Sequence, residues 1–139
     1  MKSIVIYYSF KGHTKAFAKK KAEELSADIV EIRESKNRSV LSAYTSGCLA
    51  ALRLKSVKIK PYFVEYDKYD KVILCAPIWA GAPAPAFNSV VEALPKGTEV
   101  EMHFVSGSGK SGAKARVIAK LEKQGCKVLS YTDIKESKQ

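Results

Sequence analysis

The residues best suited to chemistry in this chain form the run Ser9-Phe10-Lys11-Gly12-His13-Thr14. It follows the apolar stretch Ile4-Val5-Ile6-Tyr7-Tyr8 and opens a helical pattern. A strand that turns through glycine and hydroxyl residues into a helix makes an anion pocket. The first-turn amides are free, and the helix dipole favours negative charge there. Ser9 and Thr14 add hydroxyls and Lys11 a full positive charge, so a phosphate group is the expected occupant. His13 adds a hydrogen bond, and a charge when protonated, which would raise phosphate affinity below neutral pH. The run is neither G-x-x-x-x-G-K-[ST] nor G-x-G-x-x-G.

Two further segments carry chemical interest. Ala76-Pro77-Ile78-Trp79-Ala80-Gly81-Ala82-Pro83 holds the single tryptophan of the chain. A large aromatic in a Pro/Gly loop just past a buried strand is suited to stacking on a planar ring. Ser106-Gly107-Ser108-Gly109-Lys110-Ser111-Gly112 is a Gly/Ser loop whose backbone can come close to a ligand. The three cysteines, Cys48, Cys75 and Cys126, are widely spaced and form no metal-binding pattern. They read as reduced, structural thiols, and Cys75 sits at the end of a buried strand. No catalytic side-chain triad and no metal cluster is legible.

These loops need a scaffold, and the chain alternates strand and helix patterns throughout. Strands are expected at 3–8, at 28–33 as a half-exposed edge, at 72–75, at 100–105 and at 126–134. Helices are expected at 14–26 on Ala18, Ala22 and Leu25, and at 40–54 on Leu41, Tyr44, Cys48 and Leu52. Gly47 weakens the second of these by roughly 1 kcal/mol against alanine. Two more follow, on Phe87, Val90, Val91 and Leu94, and on Val117 and Leu121. Five strands alternating with four helices imply one open parallel α/β domain over 1–139. Ligands of such sheets bind beyond the carboxyl ends of the strands. The loops 9–14, 76–83 and 106–112 all lie at those ends.

Hydrophobic residues make up 46% and charged residues 27% of the chain, an ordinary globular balance. No apolar run is long enough to cross a bilayer, and no export signal is evident, so a cytoplasmic location without membrane contact is expected. Net charge is +10, from 24 Lys and Arg against 14 Asp and Glu. Most of these lysines read as solvated helix faces, and without a nucleic-acid-binding motif such a partner is not expected.

Taken together, these segments resemble the flavodoxin family. Ser9-Phe10-Lys11-Gly12-His13-Thr14 is similar to its S-x-T-G-N-T phosphate loop. Tyr69-Asp70-Lys71-Val72 through Ala76-Pro77-Ile78-Trp79-Ala80-Gly81 resembles its YD-x-[VI]…[ST]PIW-x-G segment. Ser106-Gly107-Ser108-Gly109 falls where the family has a third flavin-contacting loop. The likeness covers almost the whole chain in order. It implies a three-layer sandwich with a five-stranded parallel sheet of order 2-1-3-4-5, and non-covalent binding of FMN. Ser9, Lys11, Gly12, His13 and Thr14 would hold the phosphate. Pro77, Ile78, Trp79 and Gly81 would line one side of the ring, and Ser106, Gly107 and Gly109 its other edge. Redox chemistry would belong to the flavin.

The chain departs from the family at Lys11, His13 and Ala76, and its basic charge differs from the acidic surface of electron-carrying flavodoxins. Only a polar tail at 135–139 follows the fifth strand, so no counterpart of the family's C-terminal helix is expected. The apolar sheet face this leaves open is expected to be covered by a second copy, giving a homodimer. The implied function is an FMN-binding electron-transfer protein, an electron carrier more than a stand-alone oxidoreductase, working with a redox partner protein or a small-molecule acceptor. The alternatives are an NAD(P)H-dependent FMN or quinone reductase, and a non-redox module of the same fold that binds another phosphate-bearing ligand or an acidic partner.

Overall fold

The computed structural model describes residues 2–36 and 38–136. Residues 137–139 of the polar tail lie outside it. β1 (Ser3–Tyr8) leads into α1 (His13–Leu25) and β2 (Asp28–Ile32). A helical stretch follows, built from α2 (Val40–Ser42), a π-helical turn (Ala43–Gly47) and α3 (Cys48–Leu52). β3 (Lys71–Trp79), β4 (Ala82–Pro83) and α4 (Pro85–Glu92) come next. β5 (Glu99–Ser106), α5 (Lys114–Lys123) and β6 (Lys127–Lys135) complete the described elements.

The sheet order is β2-β1-β3-β5-β6, with β4 attached to β3. The five long strands are all parallel, which is the expected 2-1-3-4-5 order with β4 added. Alternate residues of the central strands face opposite layers. Ile4, Ile6, Val72, Leu74, Val100, Met102 and Phe104 pack under α4 and α5, against Phe87, Val91, Val117 and Leu121. Val5, Tyr7, Ile73 and Cys75 pack under α1, against Ala18 and Ala22. β2 is an edge strand, as its alternation implied, with Ile29 exposed and Ile32 buried.

Four local expectations change. Leu25 is exposed, because α1 ends there and the chain turns away through Ser26 in the left-handed region. The helix expected over 40–54 is broken by the π-helical turn, and Leu41, Tyr44 and Leu52, expected on its inner face, are exposed. β3 runs on to Trp79 where a loop was expected after Cys75. Its last residues pair with β4 as a two-residue hairpin, Ile78 opposite Pro83 and Trp79 opposite Ala82. Ala80 (φ 52°) and Gly81 (φ 84°) supply the two left-handed residues that such a turn requires. Trp79 therefore stands on a strand end, half-buried, and not in an exposed loop.

The fourth change concerns the layer that carries α1. Among the described residues, no second helix joins α1 there. The face left open beyond β3 is not simply apolar, since Glu101 and His103 of β5 lie in register with Ile73 and Cys75. His103 Nε2 donates to Glu101 at 2.6 Å, Lys71 Nζ donates at 3.3 Å, and Lys21 Nζ lies 3.8 Å away. The Phe17 ring covers His103 at 5.3 Å. Burial works against the Glu101 charge, but the bonds from His103 and Lys71 outweigh it and hold the carboxyl below its usual range.

This cluster makes stability depend on acid. The folded Glu101 binds its proton less readily than the unfolded chain does. Its contribution is therefore complete above about pH 4.5 and is lost as pH falls through the lower folded value. At pH 7, Glu101→Gln should lower unfolding free energy by about 1–3 kcal/mol. In urea titrations the gap between variant and wild type should close towards pH 3; a gap constant from pH 7 to pH 3 would contradict the assignment.

Candidate functional site

Parallel pairing brings the carboxyl ends of β1, β3 and β5 to one rim of the sheet, and an open cleft of about 260 Å³ lies among the loops that leave them. One end of the cleft is the turn after β1. Gly12 adopts φ 102°, a conformation open to glycine and costly for other residues. Its N–H donates to Ser9 Oγ at 3.1 Å. Gly12 is also the N-cap of α1 and provides no side-chain acceptor, so no capping side chain competes for the first-turn amides. Thr14 is buried at the cleft, Lys11 is exposed, and His13 Nε2 lies 3.9 Å from Glu136 Oε2. This end presents hydroxyls, free amides and the Lys11 charge, with the Glu136 carboxylate beside His13.

The other end is aromatic. The Trp79 ring meets the edges of Tyr8 at 6.0 Å and of Phe10 at 5.6 Å, both near perpendicular. Ile78, Tyr44 and Cys48 continue this wall. The third side is the loop after β5, which is pinned despite its Gly/Ser composition. Gly109 N–H donates to Ser106 Oγ at 3.0 Å, and Gly112 N–H donates to the Gly81 carbonyl at 2.8 Å. Ser111 Oγ is bonded to Tyr131 Oη at 2.6 Å and donates to Asp133 Oδ2 at 3.0 Å.

Of the residues singled out in the sequence, Ser9, Lys11, His13, Thr14, Pro77, Ile78, Trp79, Ser106 and Gly107 line this one cleft. Gly12, Gly81 and Gly109, expected at the ligand, are not among its lining residues; each holds one of the three turns with a positive φ. The wall formed by Ala43, Tyr44 and Cys48 was not anticipated, because a regular helix at 40–54 gave no reason to place it at the rim. Glu136, in the tail that read only as polar, also lines the cleft; its N–H donates to the Ser106 carbonyl at 2.8 Å. Phe10 belonged to the phosphate-type run yet serves the aromatic end.

The cysteines differ in environment. Burial pushes the Cys75 thiol up to about 12 and also raises Cys126. Cys48 is half-buried in the cleft wall.

No protein-family model and no curated protein sequence matches the chain. Solved structures do. A flavoprotein from Lactobacillus acidophilus NCFM, determined in complex with FMN, superposes with a TM-score of 0.79 at 20% identity, over 97% of this chain and 93% of that one. The apo-form of the flavoprotein from Lactobacillus acidophilus NCFM gives 0.70 at 20% identity, over 98% and 92%. A flavodoxin from the domain Archaea gives 0.56 at 18% identity, over 100% and 86%. The architecture and strand order shared with these proteins define a flavodoxin-like α/β fold.

Burial keeps the Cys75 thiol protonated at pH 8 and out of reach of reagent, while Cys48 is only half-buried. A disulfide reagent such as DTNB should therefore modify Cys48 of the native chain at least roughly tenfold faster than Cys75 or Cys126. Rapid modification of Cys75 in the folded protein would contradict its placement.

Proposed function

We propose that this chain binds FMN in the cleft and serves as an electron-transfer flavoprotein. The observation that carries the reading is the convergence of an uncapped helix N-terminus bearing Ser9, Lys11 and Thr14 with an aromatic wall built on Trp79. An anion site and a flat apolar surface on one cleft match a phosphorylated, planar-ringed molecule. The FMN complex of a protein with the same fold supports the choice among such ligands.

The residues present fit the group. The absence of a capping side chain at α1 leaves first-turn amides for phosphate oxygens, and Lys11 can offset the dianion. Pro77, Ile78 and Trp79 offer a surface for the ring, and Ser106 and Gly107 border it from β5. When bound, the flavin supplies the capacity to take up and release electrons. The chain's own part is to bind the phosphate, orient the ring and shield it from water. The cleft is open and rimmed by the exposed Tyr44, so a ring held there stays within reach of a donor or acceptor. The net charge of +10 favours an acidic redox partner.

Titration of the apo-protein with FMN, followed by flavin fluorescence and calorimetry, should give saturable one-to-one binding; its absence would end this reading. Trp79→Ala should weaken binding by roughly three- to tenfold and relieve flavin quenching. Lys11→Met should weaken FMN about tenfold while leaving riboflavin, which has no phosphate, unchanged. The loaded protein should exchange electrons with an external reductant and acceptor yet oxidise NADH and NADPH negligibly on its own. Efficient stand-alone turnover of either would make it a reductase.

A further inference from the structure

A buried ion pair lies directly behind the aromatic wall and has no part in the reading above. Arg38 and Glu34 are 11% and 7% exposed. Arg38 Nε donates to Glu34 Oε1 and Oε2 at 3.1 and 3.0 Å, and Nη2 donates to Oε1 at 2.7 Å. Tyr8 Oη donates to Glu34 Oε2 at 2.6 Å. The remaining nitrogen, Nη1, donates to the Ser42 carbonyl at 3.3 Å and to Ser42 Oγ at 3.2 Å. The guanidinium carbon stands 5.5 Å from the centre of the Trp79 ring.

The Glu34–Arg38 pair thus joins four parts of the molecule. Glu34 follows β2, Tyr8 ends β1, Ser42 closes α2 just before the π-helical turn, and Trp79 tips the β3–β4 hairpin. Trp79 has need of such support, because a two-residue hairpin holds its tip weakly. Gly47 shows how close the approach is. A Cβ there would stand 3.0 Å from the Trp79 ring and 2.8 Å from Arg38 Nη1. Burying an ion pair is a poor route to stability, since desolvation offsets most of the attraction. Its attested use is to select one arrangement among several, and here that arrangement is the wall of a binding cleft.

We propose that Arg38, gripped by Glu34, is a positioning residue for the ring end of the cleft: it fixes Trp79 and the 43–47 turn against each other before ligand arrives. The inference rests on the flavin-binding reading and deepens it. A wall set in advance spares the ligand the cost of ordering it, so loss of Arg38 weakens every ligand that uses the ring surface, with or without a phosphate.

The test uses Arg38→Met and, because a lone Glu34 charge left in the interior can impair folding, the double variant E34Q/R38M, which removes both charges and keeps an acceptor for Tyr8 Oη. Trp79 is the single tryptophan, so its near-ultraviolet circular dichroism in the apo-protein reports its fixation with no ligand present. The tryptophan band should weaken in both variants, and FMN and riboflavin affinities should fall by the same factor, about tenfold. Three results would overturn the proposal: a tryptophan band unchanged in the double variant, flavin affinities unchanged, or a loss confined to FMN. If the wild-type chain binds neither flavin, the functional reading fails by itself, and the dichroism still decides whether Arg38 fixes Trp79.

Discussion

The parallel pairing of β1 with β3 and of β3 with β5 is the constraint on which the rest of the molecule depends. Parallel strands need helical crossovers, and those crossovers begin at the same edge of the sheet each time. Three connections far apart in sequence are thereby gathered on one rim. The hydrophobic runs of the central strands enforce the register, since a slip of one residue would turn Ile4, Leu74 and Met102 out of their layer. The cleft is a consequence of core packing before it is a consequence of any residue that lines it.

The two ends of the cleft differ in physical character for reasons that begin in the backbone. At the turn after β1, glycine allows a sharp entry into α1 and leaves amides without a capping partner. Polarity there is built from the main chain. At the ring end, the hairpin at Ala80-Gly81 returns the chain at once, so Trp79 projects from a strand and not from a floating loop. Shape there is built from side chains, with edge-on aromatic contacts and a guanidinium filling the space behind.

The strands themselves and the turn after β1 were legible because each is encoded locally, whereas the order 2-1-3-4-5 came with the resemblance to the flavodoxin family. Continuous apolar runs announce buried parallel strands, and Ser-x-x-Gly-x-Thr after such a run announces a turn into a helix. The hairpin at Trp79 was hidden because Ala76-Pro77 looks like the end of a strand; pairing with β5 carries the strand through these two, and pairing with Ala82 and Pro83 carries it on to Trp79. The Glu34–Arg38 pair was hidden for another reason. Its spacing of four suggests a helix surface, yet the residues lie outside any helix and meet through a bend. The polar cluster of Glu101 and His103 was masked by the apolar residues that alternate with it in β5.

The tether between Glu136 and the loop after β5 has a practical corollary. The chain leaves its last strand at the mouth of the cleft, with the Glu136 amide bonded to Ser106 and its carboxylate near His13. The opposite terminus departs from the far edge, where Lys2 pairs with Asp70 at the start of β3. The described chain therefore closes at the entrance itself, so an alteration at residue 136 is felt by whatever enters, whereas one at Lys2 is made on the opposite edge.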